Sequence, residues 1–405
     1  MRIMFLLTQD LESPAGVGRY FPLASALTQL GHQVSIAALH SHFDTLSQAR
    51  FERSGVEVRY VAQMHVKKVG NLKLYYPIYQ LLPLVVKSTW ALVRAVLDTP
   101  VDVVYVGKPH PMNSVAALLA KYFLKKPVVL DCDDYEGVNN RFSASWQKWV
   151  VSYFERLMVH HADGITTHTY VLRDYLLGLG VPPVRITYLP HGVDCARFKV
   201  DERRVVALRS KLGLEDRKVV IFVGSLSLIS HAVDTLLLAF KRVLEDVPNS
   251  VLLLIGGGED FERLQRQAKD LGVDKDVRFY GKIKSALVPL YFRIADVSVD
   301  PVYDNEAGRA SLSLKMFESW AAGVPLVTVD VGDRRRVVGM PPSALIVEPD
   351  NSEALAKGVL QVLKDPSLAA SLRARAYQRV EDFYWDQLAE RAEEVCWKVV
   401  KARGG

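Results

Sequence analysis

Three carboxylates within four residues, Asp131-Cys132-Asp133-Asp134, close the apolar run PVVLDCDD, and Lys315 and Glu318 stand three residues apart in SLSLKMFESWAAGVPLVTVD. Acidic groups at the end of a buried strand are costly unless solvated, paired or functional. Asp133 then reads as an acid/base or as an acceptor for a substrate hydroxyl. Asp131 and Asp133 also have the D-x-D spacing of a divalent-metal site, and the plain alternative is a cluster that starts a loop or caps a helix. In the second stretch Leu312, Leu314, Met316, Phe317 and Trp320 alternate helically with polar residues, before a turn at Ala322-Gly323 and an extended run from Val324. A helix beginning just beyond a strand's carboxyl end aims free N–H groups outward, which with its dipole suits an anion such as a diphosphate. The N–H groups of Ser311, Leu312, Ser313 and Leu314 fall at that end. Lys315 and Glu318 share a helix face, so the cation could meet phosphate while the carboxylate accepts hydrogen bonds from ribose hydroxyls. An ordinary surface ion pair has the same spacing.

Glycines and small polar residues recur at the ends of other apolar runs. Gly16, in Pro14-Ala15-Gly16-Val17-Gly18-Arg19, lets the backbone approach a phosphate or sugar because no Cβ intervenes. A dinucleotide fingerprint fails there, since Phe21 holds the third glycine position. Gly224-Ser225 closes VVIFVG, Ser230-His231 precedes a helix starting near Val233, and Gly256-Gly257-Gly258-Glu259 closes VLLLIGG. Each could be a simple turn, and His231 a plain helix-start histidine. Their shared place at strand ends makes Gly224, Ser225, His231 and Gly257 candidate ligand contacts.

The elements that must position these residues alternate from the first residues onward. IMFLLT is followed by a helix through PAGVGRYFPLASALTQLGH, then VSIAAL, helical residues around 42–53, VEVRYV, VDVVYV, a helix near 113–124, PVVLDCDD, a long helix over 142–161, GITTHT and RITYLP. After His191 the pattern restarts with VVIFVG, VLLLIGG, VRFYG, DVSVDP, PLVTV and ALIVEP separated by helices, and residues 351–403 hold three helical stretches without a strand. This predicts an α/β fold of two doubly wound, mostly parallel sheets, each covered on both faces. The Rossmann-like domains expected are 1–190 and 191–383, with function in the cleft beyond the carboxyl ends of their strands.

At 405 residues, 49% hydrophobic and 24% charged, the chain has the size of two domains and the composition of a folded protein. A net charge of +6 fits anionic small molecules or an anionic membrane surface, and no nucleic-acid partner is expected. Cys132, Cys195 and Cys396 lie far apart without metal spacing, which predicts a reducing compartment, no disulfide framework and no metal site. The opening MRIMFLLTQD is too short in apolar residues for a signal peptide, and no apolar run approaches about 20 residues. The expectation is a cytoplasmic protein, peripheral on the inner face of a membrane. Residues 60–97 would supply the contact: Lys67, Lys68, Lys73, Lys87 and Arg94 interleave there with Tyr75, Tyr76, Trp90 and aliphatic residues, as in segments lying in an anionic bilayer's interface. A core helix with snorkelling lysines is the alternative.

Taken together, these blocks resemble the retaining GT-B glycosyltransferases of the broad family-four type, the glycosyl transferases group 1. The resemblance runs through AGVGRYFPLASALTQLGHQV, HGVDCARF, FVGSLS with HAVDTLLLAF, LLLIGGGEDFERLQRQAKDLGVDKDVRFYGKI, IADVSVDP and KMFESWAAGVPLVTVDVGD, nearly the whole chain. It implies the GT-B architecture, with the nucleotide sugar held mainly by the second domain and a final helix, 384–405, packing back on the first, acceptor-side domain. It also implies transfer of a sugar from a UDP- or GDP-type nucleotide-diphosphate sugar to a lipid-linked or saccharide acceptor, with retention at the anomeric carbon and no prosthetic group. The donor's own phosphate would deprotonate the acceptor, with N–H groups at 311–314 stabilising the leaving diphosphate. Glu318 matches the second of two family glutamates, the one that binds ribose hydroxyls, and the first corresponds to Ala310. Where members carry an Arg and a Lys for the diphosphate, this chain has Ser225 and His231, with Lys315, Arg309 or the run Arg334-Arg335-Arg336 as candidate substitutes. Asp133 stands where members often carry a catalytic-region histidine.

Two other readings stay open. A catalytically weak GT-B protein that binds nucleotide or glycan as a partner subunit would account for Ala310, Ser225 and His231. A metal-dependent transferase would use Asp131 and Asp133, against which the duplicated doubly wound pattern argues.

Overall fold

Parallel strands need crossover connections, and the chain supplies helices for them in both halves. A computed structural model describes residues 1–69, 72–139, 142 and 144–404. One structural unit comprises Met1–Val69, Lys73–Gly192 and Trp385–Gly405, and the bulk of the other is Val193–Tyr384.

In the first unit the strands are β1 (Arg2–Leu7), β2 (Gln33–His40), β3 (Arg50–Arg53), β4 (Val56–Gln63), β5 (Val66–Val69), β6 (Leu72–Tyr75), β7 (Val103–Gly107), β8 (Val128–Cys132), β9 (Gly164–Thr167) and β10 (Ile186–Tyr188). Eight of them form one sheet in the order β10-β9-β8-β7-β1-β2-β4-β3, and β5 pairs with β6. The pairings in the large sheet are parallel except β3 with β4. Side chains alternate across a strand, so Ile3, Phe5 and Leu7 join one core with the helix Phe21–Gln29, while Met4 and Leu6 join another with the helices Ile78–Leu97, Pro111–Tyr122 and Ser145–His161. Both faces are covered, which is why these strands are apolar throughout.

The helical residues expected around 42–53 are corrected by this sheet. Phe43–Thr45 is a single 3-10 turn, and β3 pairs antiparallel with β4, its Phe51 ring 6.0 Å from that of Tyr60. Edge pairing overrides the charged, weakly patterned local sequence. Expected to start at 142, the long helix begins at Ser145. Within 60–97, Gly70 and Asn71 lie outside the described residues. The helix Ile78–Leu97 buries Ser88, Leu92, Val93, Ala95 and Val96 and leaves Tyr79, Leu82, Val86 and Trp90 exposed. By length and composition it is apolar enough to cross a membrane, yet its inner face belongs to the core.

The final helix, Trp385–Gly404, packs on the helix Phe21–Gln29 in the first unit. Its stripe of Leu388, Ala392, Val395 and Val399, at helical spacing, enters the core. Gly164 makes room for it, because a Cβ there would sit 2.9 Å from Val395 and 3.0 Å from Val399. His32 to Glu393 at 2.8 Å and Lys398 to the Val184 carbonyl at 2.6 Å tie down its polar side.

The second unit holds β11 (Lys218–Val223), β12 (Ser250–Ile255), β13 (Val277–Gly281), β14 (Val297–Asp300), β15 (Leu326–Val329) and β16 (Leu345–Val347), all parallel in the order β13-β12-β11-β14-β15-β16. Strand order reverses between β11 and β14 here, and between β1 and β7 in the first unit. Such reversals open a crevice at the carboxyl ends of the strands, and the chemistry-bearing residues gather at both.

Candidate functional site

Asp300 ends β14 with its side chain wholly buried, and two cations share it. Lys315 Nζ lies 3.1 Å from Oδ1, Arg334 Nε donates to Oδ2 at 2.9 Å, and Thr328 Oγ1 donates to Oδ2 at 3.2 Å. Burial opposes ionisation of Asp300, but Arg334 and then Lys315 overcome it and hold the carboxyl far below its usual range. The Arg334 guanidinium also donates to the carbonyls of Gly308, Ser311 and Val331 and to Ser313 Oγ. Lys315 comes from the helix Leu314–Ala321 and runs beneath Gly224 at the end of β11. A Cβ on Gly224 would be 3.0 Å from its Cε and 3.3 Å from its Nζ, and the ammonium is 4.8 Å from the Phe222 ring centroid. His231 packs edge-on to the same Phe222 ring at 5.7 Å, its Nδ1 buried without a hydrogen-bond partner. Burial, and then the charge of Lys315, push this imidazole down to about 3, so it is neutral. Burial lowers Lys315 and raises Glu318.

Gly224, His231, Ser313 and Lys315 are therefore brought together around Asp300, a residue the sequence reading passed over. The available signal was an acid, Asp300, closing the apolar run VSVD just before Pro301. Lys315 pairs with Asp300 rather than standing on the surface with Glu318, which is partly buried. Of the expected N–H donors, that of Ser311 is taken by the Ala307 carbonyl at 3.1 Å, and the Leu312 side chain lies in the core. The helix starts at Leu314 with Ser313 as its cap residue. Ser225 is exposed at the mouth of the β11 loop. Gly257 accepts a hydrogen bond from the Leu226 N–H at 3.0 Å. Its neighbours have a structural reason to be glycine: a Cβ at Gly256, φ +139°, would lie 1.8 Å from the Gly224 carbonyl oxygen, and one at Gly258 2.3 Å from that of Leu226. The β11 and β12 loops thus pack backbone to backbone. Arg309 and Arg335 are exposed and pair with Asp304 and Asp330, leaving Arg334 as the member of its run inside the site.

In the first unit Asp131 and Asp133 do not act as a D-x-D pair. Asp131 is engaged by Arg19 through two bonds of 2.6 Å and by Thr166 Oγ1 at 2.6 Å. Asp133, Asp134 and Glu136 converge instead on Lys108 Nζ at 3.2, 3.1 and 2.6 Å, and His110 Nε2 is 3.3 Å from Glu136. Oxygens of the three acids lie within 4.8 Å of one another, close enough for an ion, but the lysine already supplies positive charge there. Lys108 itself sits in the left-handed region at φ +72° just after β7. One ammonium cannot balance three acids. Burial, with Asp134, Asp131 and Glu136 adding repulsion against Lys108, pushes Asp133 up to about 7. Glu136 goes the other way: burial opposes its ionisation, yet Lys108 and His110 hold it low. Burial, and then the charge of Glu136, raise Glu155 to about 8. Gly16 is fixed by its own loop, since a Cβ would be 2.4 Å from the Asp10 carbonyl oxygen, and its N–H donates to Ser13 Oγ at 3.1 Å.

Residues 207–379 match the family described as glycosyl transferases group 1, and residues 15–192 match the glycosyl transferase 4-like domain. The chain belongs to the group 1 glycosyl transferases. The chain is 29% identical over 243 residues to the GDP-mannose-dependent alpha-(1-6)-phosphatidylinositol monomannoside mannosyltransferase of Mycolicibacterium smegmatis, a stretch covering 59% of this chain and 63% of that one. It thus spans less than two thirds of that relative's length. It is 25% identical to the phosphatidyl-myo-inositol mannosyltransferase of the same species, over 98% of this chain and 93% of the other. Among solved structures it resembles Anabaena HepE in complex with UDP-glucose, at TM-score 0.75 and 16% identity over 98% and 99% of the two chains. The fold is GT-B.

Proposed function

We propose that this glycosyltransferase moves a hexosyl group from a nucleotide-diphosphate sugar of GDP or UDP type to a lipid-linked or saccharide acceptor, with retention at the anomeric carbon. The observation that carries the reading is the buried Asp300–Lys315–Arg334 cluster at the β11/β14 reversal. Two cations against one carboxylate leave positive charge beneath Gly224 and beside the helix start at Ser313, where a diphosphate would be drawn. Glu318 would accept the ribose hydroxyls. Residues 1–190 with 384–405 would carry the acceptor, with Asp133 accepting a hydrogen bond from its hydroxyl, and 191–383 the donor. The relative that uses GDP-mannose and the neighbour that binds UDP-glucose support the donor class, and the phosphatidylinositol in the relatives' names supports a lipid acceptor.

A thermal-shift and hydrolysis screen with UDP-, GDP-, ADP- and CMP-sugars tests this. Occupancy at about 100 times Kd should stabilise the protein by about 2.7 kcal/mol, and Glu318→Ala should abolish the shift for the one nucleotide that gives it. Stabilisation by none of them would favour the partner-subunit reading.

The acceptor class also bears on location, which we place peripherally on the cytoplasmic face of a membrane. The helices Ile78–Leu97, Pro111–Tyr122 and Ser145–His161 share one core and so one side of the first unit's sheet. Their outer surfaces expose Tyr79, Val86, Trp90, Trp146 and Trp149, with Trp149 stacked on Tyr153 at 5.7 Å, alongside exposed Lys87, Lys148 and Arg156. Aromatic rings among basic residues suit the interface of an anionic bilayer. Flotation with anionic vesicles is expected to retain the protein at low salt and to weaken several-fold in a Trp90→Ser/Trp149→Ser variant. Equal recovery with neutral and anionic lipid would refute the proposal.

A further inference from the structure

Asp300 does more at the donor site than neutralise charge. Its two oxygens are divided: Oδ1 faces Lys315, while Oδ2 takes Arg334 and Thr328. Arg334 in turn grips Ser313 Oγ and the carbonyls of Gly308 and Ser311, the residues leading into the helix that carries Lys315. One carboxylate therefore locks the ammonium and the amino end of its helix into one frame. The groups facing Lys315 from other elements are Asp300 on β14, Arg334 on the helix Arg334–Val338 and His231 ahead of the helix Val233–Asp246, with Glu318 on its own helix. Arg334 adds like charge and His231 is neutral, so Asp300 at 3.1 Å is the main counter-ion. An ammonium has three donors and the Asp300 bond takes one, which leaves others for phosphate oxygens.

Resting on the donor reading above, we propose that Asp300 is a positioning residue: it holds the Lys315 ammonium beneath Gly224, facing the donor's diphosphate, so that this pair replaces the cations absent at Ser225 and His231. The phosphate-reading charge thereby reaches the site from the helix Leu314–Ala321 rather than from the β11 loop. Gly224 is part of the device, because its missing side chain is the space the lysine occupies.

Calorimetric titration of the full chain with GDP, UDP, GMP and UMP, from mildly acid to alkaline pH, tests this. Wild type should bind one diphosphate more tightly than its monophosphate. Asp300→Asn should shrink that preference about tenfold to a hundredfold, the value of a charge-assisted hydrogen bond. Without the carboxylate the buried lysine loses its proton more readily, so diphosphate affinity in this variant should fall with rising pH at a lower midpoint than in wild type. Asp300→Glu should recover part of both. Lys315→Met should remove the preference and the alkaline midpoint together, and adding Asp300→Asn to it should change the preference no further. A purely structural role would weaken mono- and diphosphate alike. Should Asp300→Asn not fold, Gly224→Ala carries the test, since its methyl would crowd the lysine without altering any charge. An unchanged diphosphate preference in either variant overturns the proposal while leaving the donor reading intact. Failure of wild type to bind any of the four nucleotides removes both.

Discussion

Arg19→Met is expected to cost the protein about 3–5 kcal/mol of folding stability, the range for breaking a buried ion pair from one side. It should appear as a lowered urea midpoint at neutral pH. Neither Arg19 nor Asp131 exposes its side chain. The guanidinium gives two bonds to Asp131 and one each to the carbonyls of Leu189 and Pro190, at 3.1 and 3.2 Å. Removing it strands a buried carboxylate, with the Thr166 hydroxyl still donating to its Oδ1, and uncovers the carbonyls of Leu189 and Pro190 just after β10. Arg19→Lys should rescue little, because a point charge cannot serve four acceptors spread around a planar fork. Arg19→Met combined with Asp131→Leu should recover most of the loss, since replacing both members of a buried pair is far cheaper than removing one. A single variant within about 1 kcal/mol of wild type would place this pair in the class of weak surface bridges, against its geometry.

The alternation of strands and helices was legible because buried parallel strands must be apolar on both faces, and β1, β7, β11 and β12 are. Sheet order was not, because nothing in β1 says that it pairs with both β2 and β7. Charge networks were the least legible part. Arg334-Arg335-Arg336 looks like a solvated basic run, yet the Arg334 side chain is wholly buried while that of Arg335 is 70% exposed. What separates them is Asp300, 34 residues away in sequence. Lys108 is equally invisible: its three acids lie on the far side of the helix Pro111–Tyr122 and of β8 in the chain. Glycines showed their need for space but not its occupant, which at Gly256 is the backbone of Gly224 rather than a ligand. Local pattern reports which groups are buried, and long-range pairing decides what they do there.

Lys108→Met should destabilise the first unit by about 3–5 kcal/mol near neutral pH, and by less in acid. The sign follows from what the ammonium does to each acid. In the intact cluster Glu136 is held low, so its contribution is present above its unfolded pKa and is lost as pH falls; Asp133, raised to about 7, contributes in the opposite sense and loses its contribution as pH rises toward 7. Without Lys108 the burial that raises Asp133 and opposes ionisation of Glu136 acts without its main counterweight. Both carboxyls then sit above their unfolded values, and stability is fully present only below the ordinary carboxylate range, falling steadily as pH rises. Urea denaturation at mildly acid and mildly alkaline pH should therefore show a gap between variant and wild type that widens with pH. Lys108→Arg should narrow it by restoring the charge, although a planar guanidinium fork cannot set its donors on all three acids as the compact ammonium does. The same titration belongs to the proposed acceptor chemistry: with Asp133 near 7, transfer in wild type should rise through neutral pH as the carboxylate forms, and Asp133→Asn should flatten that rise. A Lys108→Met gap that is constant across pH would mean that the lysine acts by packing alone and not as the counter-charge of these acids.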